Sequence, residues 1–125
     1  MTQRQRTSAV AVAGVLLTGA AWWMCSAPAS ARTQVRQVTV TGDQFVFTPS
    51  QIEVQKDDLV QITFTAKDVA HSFTIDVPYR ISKRASPGHA VVFEFRADEA
   101  GRFRFYCNLT QDERCKKMTG ELVVR

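Results

Sequence analysis

From Gln34 to the end of the chain, apolar residues recur with a period of two, and each run stops within a few residues at Gly, Pro, Asp or Ser. Period two places alternate side chains on opposite faces of a strand, so such runs read as half-buried β-strands. Val35, Val38 and Val40 begin the pattern. Phe45-Val46-Phe47 ends at Thr48-Pro49-Ser50, and Ile52-Glu53-Val54 ends at Lys56-Asp57-Asp58. The clearest run, Leu59 to Thr65, sets Val60, Ile62 and Phe64 against Leu59, Gln61, Thr63 and Thr65. His71 to Ile75, Val91 to Phe95, Gly101 to Tyr106 and Leu122 to Val124 complete the series. β-Branched and aromatic residues dominate, and no sustained helical period occurs in this part of the chain. Many short strands in one small chain predict an all-β, antiparallel sandwich. Residues Pro78 to Pro87 carry no clear period and are expected to form a surface loop with at most one helical turn.

The first 31 residues follow different rules. Arg4 and Arg6 precede an apolar stretch from Ala9 to Met24, and small residues follow up to Ala29-Ser30-Ala31. A basic head, an apolar middle and a small-residue ending describe a secretory signal cleaved before Arg32. Retained, the same stretch would make a marginal membrane anchor, since it falls a little short of the about 20 apolar residues a span needs. Cys25 fits a lipid-attachment motif poorly, because Trp22 and Met24 replace its aliphatic and small residues. The expectation is therefore residues 1–31 as signal peptide or N-terminal anchor and residues 32–125 as one domain, periplasmic or secreted.

Without Arg4 and Arg6, the 16 basic residues become 14 against 12 acidic ones, and the net charge falls from +4 to +2. Basic residues cluster at Arg80, Lys83 and Arg84 and at Arg114, Lys116 and Lys117, both of which read as solvated faces. No aromatic-interleaved basic stripe is present, so no nucleic-acid partner is expected. Nor does the sequence hold a Ser/His/Asp set, a pair of catalytic carboxylates or a phosphate loop, so an enzyme is not expected. A monomer is expected, with membrane contact only through a retained N-terminal segment.

Chemistry gathers near the C-terminus. Phe105-Tyr106-Cys107 closes one strand, and Cys115-Lys116-Lys117-Met118-Thr119-Gly120 leads into the last one. Upstream, His71 opens a strand in Asp68-Val69-Ala70-His71-Ser72-Phe73. Two thiols and a thioether make a soft donor set, which selects copper, zinc or iron–sulfur centres, and an imidazole suits copper and zinc. If the His71 and Leu122 strands both flank the Phe103–Tyr106 strand, these groups meet at one pole. Each also has a plainer reading. His71 can be a hydrogen-bonded core histidine, and Met118 can be packing. In an oxidising compartment Cys107 and Cys115 can form a disulfide. His89, after Pro87-Gly88, reads as solvent-facing, and Phe105 and Tyr106 as core and rim packing.

These three segments resemble the cupredoxin superfamily, most closely the copper-binding domains of cytochrome c oxidase subunit II and nitrous oxide reductase. The likeness runs from about Val38 to Val124 and implies a Greek-key sandwich. It also implies that His71, Cys107 and Met118 are copper ligands. In dinuclear members a second Cys follows the first by four positions, a His by eight and a Met by eleven. Counted from Cys107, this chain has Gln111, Cys115 and Met118 there. A bridging Cys is absent and a Cys stands where the His belongs, so a dinuclear centre is not expected.

The resulting expectation is one copper ion held by His71, Cys107, Cys115 and Met118. Such a set is softer than a blue-copper site and favours Cu(I). Zinc would accept the thiolates and imidazole, although a thioether is a poor zinc ligand. The function expected first is electron transfer with a redox partner protein. Two alternatives stay open: a copper-handling protein (store, chaperone or oxidase-assembly factor) with a copper-exchange partner, or a metal-free interaction module closed by a Cys107–Cys115 disulfide.

Overall fold

The computed structural model describes residues 35–125 and, ahead of them, Gly14 alone. The N-terminal signal or anchor segment and Cys25 lie outside the described residues.

Among the described residues nine strands form two sheets. They are β1 (Val35–Asp43), β2 (Val46–Thr48), β3 (Gln51–Val54), β4 (Leu59–Ala66), β5 (His71–Ile75), β6 (Ile81–Ala85), β7 (Ala90–Arg96), β8 (Gly101–Tyr106) and β9 (Thr119–Val124), with one short 3-10 helix at Glu113–Lys117. One sheet runs β2-β1-β4-β7 and the other β3-β9-β8-β5-β6. The chain is thus the all-β sandwich expected, with a mixed pattern inside it. β1 pairs with β4 and β3 with β9 in parallel, and the other five pairings are antiparallel. The parallel pairs arise because the chain crosses between sheets: β3 lies in the second sheet while its sequence neighbours β2 and β4 lie in the first. Parallel neighbours need such a crossover.

Alternation decides which face is buried. In β4, Val60, Ile62, Phe64 and Ala66 are all fully buried while their alternates are half-exposed. Between the sheets, Phe47, Phe64, Phe73 and Phe105 form one aromatic cluster. Phe73 stacks on Phe105 at 4.7 Å, and Phe47 meets Phe105 edge-on at 5.0 Å. Such pairs add roughly 0.5–1.5 kcal/mol each beyond the area they bury. Gly120 lies opposite Phe105 in the β8–β9 register. A Cβ there would strike the Phe105 ring and come within 2.7 Å of the Ser50 carbonyl oxygen. The glycine therefore makes room for the ring at the centre of the core.

The segment expected to be a loop between Pro78 and Pro87 contains β6 instead. Its sequence, Ile-Ser-Lys-Arg-Ala, buries only Ile81 and Ala85, and three successive polar residues hide the period of two. It is an edge strand, hydrogen-bonded on one side to β5. Lys and Arg on an edge discourage pairing with another chain, which gives Lys83 and Arg84 a structural role. Among the described residues no helix is long and apolar enough to cross a membrane.

Candidate metal centre

Sheet order places the sulfur and imidazole groups. β8 is flanked by β5 on one side and β9 on the other. His71 opens β5, Cys107 follows the last residue of β8, and Met118 precedes the first residue of β9. Because β8 runs antiparallel to both neighbours, these three positions fall at the same end of the sheet. The Cys107 N–H donates to the Met118 carbonyl at 3.1 Å, and the Ser72 N–H donates to the Cys107 Sγ at 3.4 Å.

Cys115 arrives from the 3-10 helix. Asp112 caps that helix by accepting the Arg114 N–H at 2.9 Å, and the Met118 N–H closes it on the Cys115 carbonyl at 3.0 Å. Cys107 and Cys115 are joined as a disulfide, with Cα atoms 5.3 Å apart. The pairing that the sequence left open beside shared metal ligation is thus present. His71, Cys107, Cys115 and Met118 are all buried, none more than 2 % exposed.

His71 is held from one side only. Its Nε2 lies 2.7 Å from Asp68 Oδ1. A carboxylate can only accept, so Nε2 carries the proton, and in the neutral ring Nδ1 carries the lone pair. Nδ1 is buried and has no hydrogen-bond partner among the described residues. Leaving such a group unsatisfied costs about 1–3 kcal/mol. Asp68 is well suited to its task. Partial burial opposes its ionisation, but hydrogen bonds from His71 and from the backbone N–H groups of Val69, Gln44 and Asp68 outweigh that and hold the carboxyl at about 2.

Two further residues shape the pole, and neither was expected from the sequence. Gly42 in β1 lies against it: a Cβ there would sit 3.0 Å from the Met118 methyl and 3.1 Å from His71 Cδ2. A glycine lets both side chains close over β1 without giving way. Phe45 meets the His71 ring edge-on at 5.3 Å, and the Arg114 guanidinium lies over Phe45 at 4.3 Å. Phe45 reaches this position through a two-residue hairpin turn in which Gln44 (φ 49°) and Phe45 (φ 65°) are both left-handed. Asn-Gly is the usual occupant of that turn, and larger residues there are strained by about 1–3 kcal/mol each. A Gly or Asn at this site would have marked the hairpin in the sequence; Gln-Phe concealed it.

His71 and Met118 fit a soft metal ion: the first offers a buried, unpartnered lone pair, the second a buried thioether beside it. The two cysteines fit only when reduced, because a sulfur in a disulfide is not a thiolate. In their paired form the described residues contain no group of three or more His, Cys, Asp or Glu able to hold a metal. His89, by contrast, is exposed. Phe105 is buried in the core and Tyr106 half-buried at its rim, hydrogen-bonded to Asp76 at 2.9 Å.

A two-sheet sandwich with a His, Cys and Met gathered at the end of β8 defines a class. A family model for the cupredoxin-like domain matches residues 14–124, and the chain belongs to that family. Solved structures agree on the fold. Auracyanin A, a blue copper protein from Chloroflexus aurantiacus, is 18% identical with a TM-score of 0.64, over 73% of this chain and 99% of that one. The periplasmic domain of cytochrome oxidase subunit II (CoxB) from Bradyrhizobium japonicum is 17% identical with a TM-score of 0.64, over 72% and 83%. A chain of a heme-copper terminal oxidase dimer is 19% identical with a TM-score of 0.63; the match spans 72% of this chain and 65% of that one, just under two thirds.

Proposed function

We propose that this protein is a periplasmic or secreted copper-handling member of the cupredoxin-like family. In its dithiol form it holds one copper ion as Cu(I) through His71, Cys107, Cys115 and Met118. The observation that carries this reading is the state of His71, whose Nε2 is tied to Asp68 while its buried Nδ1 has no partner among the described residues. A buried polar atom without a partner calls for an occupant, and a copper ion at Nδ1 would supply one.

The disulfide supports handling over simple electron transfer. The two thiolates that would grip copper can instead bond to each other, so metal and disulfide are alternative states of one site. Opening it takes two electrons: a dithiol partner is oxidised to its own disulfide while Cys107 and Cys115 become thiols. Subunit II of a cytochrome c oxidase, a protein of similar fold, has been captured in a mixed disulfide with a thioredoxin-like protein. A partner of that redox class fits this chain too. The bound ion would supply one-electron chemistry, while the chain's own residues bind it, exclude water and fix the imidazole.

Electron transfer is the second reading, with the same ligands. It is favoured by their placement at rigid strand ends and by the likeness in fold to a blue copper protein.

The test is copper analysis of the protein purified without oxidation from the compartment in which it acts, with His71→Ala alongside. Near one equivalent, lost in the variant, supports the proposal. A fully disulfide-bonded, copper-free protein would favour the metal-free interaction module.

A further inference from the structure

We propose that Asp68 is a positioning residue for this site, holding His71 in the Nε2–H tautomer and locking the turn that carries Phe45 against the imidazole. Its effect on metal binding rests on the reading above; its effect on the tautomer does not.

The carboxylate uses both oxygens. Oδ1 accepts from His71 Nε2 at 2.7 Å, and Oδ2 accepts the Gln44 N–H at 2.9 Å. Gln44 is the first of two consecutive left-handed residues, an arrangement that side-chain-bearing residues avoid unless surrounding contacts impose it. The second, Phe45, meets the His71 ring edge-on. One side chain therefore sets the ring's proton, its orientation and the neighbour that walls it. The two left-handed residues are the hairpin turn itself, and the carboxylate ties the first of them to the imidazole, which fixes the wall beside the ring. Outer partners of a ligating imidazole fix its tautomer, and their loss typically weakens metal binding 10–100-fold.

The experiment is done on the full chain with Asp68→Ala and Asp68→Asn. First, long-range proton–nitrogen NMR reads the His71 tautomer in the metal-free disulfide form. Wild type should show Nε2 protonated, and Asp68→Ala a substantial Nδ1–H population. Second, Cu(I) competition on the reduced proteins should show affinity about 10–100-fold lower in Asp68→Ala. If that variant does not fold, Asp68→Asn carries the test. It has the same shape but one acceptor oxygen, so either the tautomer or the Phe45 resonances should change. An unaltered Nε2–H tautomer, unmoved Phe45 resonances and copper affinity within twofold of wild type would overturn the role. Wild-type dithiol protein that ignores Cu(I) would instead overturn the metal reading, leaving the tautomer measurement to decide Asp68.

Discussion

Cys107 and Cys115, the two cysteines proposed to grip a soft metal, are bonded to each other at the pole where His71 Nδ1 is buried with no partner among the described residues. Each state of the sulfurs excludes the other, which makes the redox state of this pair the variable on which the site depends.

Removing the disulfide should cost stability even without metal. The cysteines are 8 residues apart, and closing so short a loop contributes about 2–3 kcal/mol in the chain-entropy account. Urea unfolding of Cys115→Ser under oxidising conditions should show that loss. Under reducing conditions the gap should narrow by that amount, leaving the cost of a hydroxyl at the buried Cys115 position, about 1–3 kcal/mol.

Gly120→Ala should be severe. The added methyl would strike the Phe105 ring and crowd the Ser50 backbone carbonyl, so packed core atoms must shift to admit it. Overpacking of this kind costs about 3 kcal/mol or more, read as a lower midpoint in denaturant or as insoluble protein.

Gly42→Ala should be mild in stability and marked at the site. Its methyl would press on the Met118 methyl and the His71 ring, both of which can yield by a few tenths of an ångström. The expected cost is about 1 kcal/mol, with Cu(I) affinity of the reduced protein falling by more than the stability change alone explains. Equal affinity in both proteins would remove Gly42 from the site.

Acid should loosen the helix that carries Cys115. Hydrogen bonds from the Arg114 side chain and backbone N–H hold the Asp112 carboxyl at about 2, below its ordinary value of 3.8. A carboxyl depressed on folding stabilises the native state above its unfolded pKa, and that contribution is lost as pH falls through the folded one. The capped helix should therefore be intact at pH 5 and weaken between about 4 and 2. Carboxyl NMR should give an Asp112 midpoint near 2, and Arg114→Ala should move it upward.

Optical spectra separate the two functional readings. A reversible, intense thiolate-to-Cu(II) band after oxidation of the copper protein would favour electron transfer. Colourless protein that keeps Cu(I) in air, or releases it as the disulfide forms, would favour handling.

The sandwich was legible because Val60, Ile62 and Phe64 alternate cleanly with polar neighbours, and the meeting of His71 with Cys107 and Met118 followed from strand order. β6 escaped because Ser82, Lys83 and Arg84 interrupt its alternation on an exposed edge. Gly42, Phe45 and Asp68 escaped for a different reason. A lone glycine in a strand, an aromatic in a turn and an acid three residues before a histidine have no spacing signature. Their roles exist only once β1 and the β4–β5 loop are brought to one end. The sequence also left the sulfurs undecided, since the same two thiols suit a metal or a disulfide.

Anaerobic titration of Cu(I) against a chromogenic competitor, run on the disulfide and dithiol forms of one preparation, tests the central claim most directly. One equivalent should bind the dithiol form tightly, and the disulfide form should bind at least a hundredfold more weakly. Equal binding by the two forms, or none by either, would contradict it.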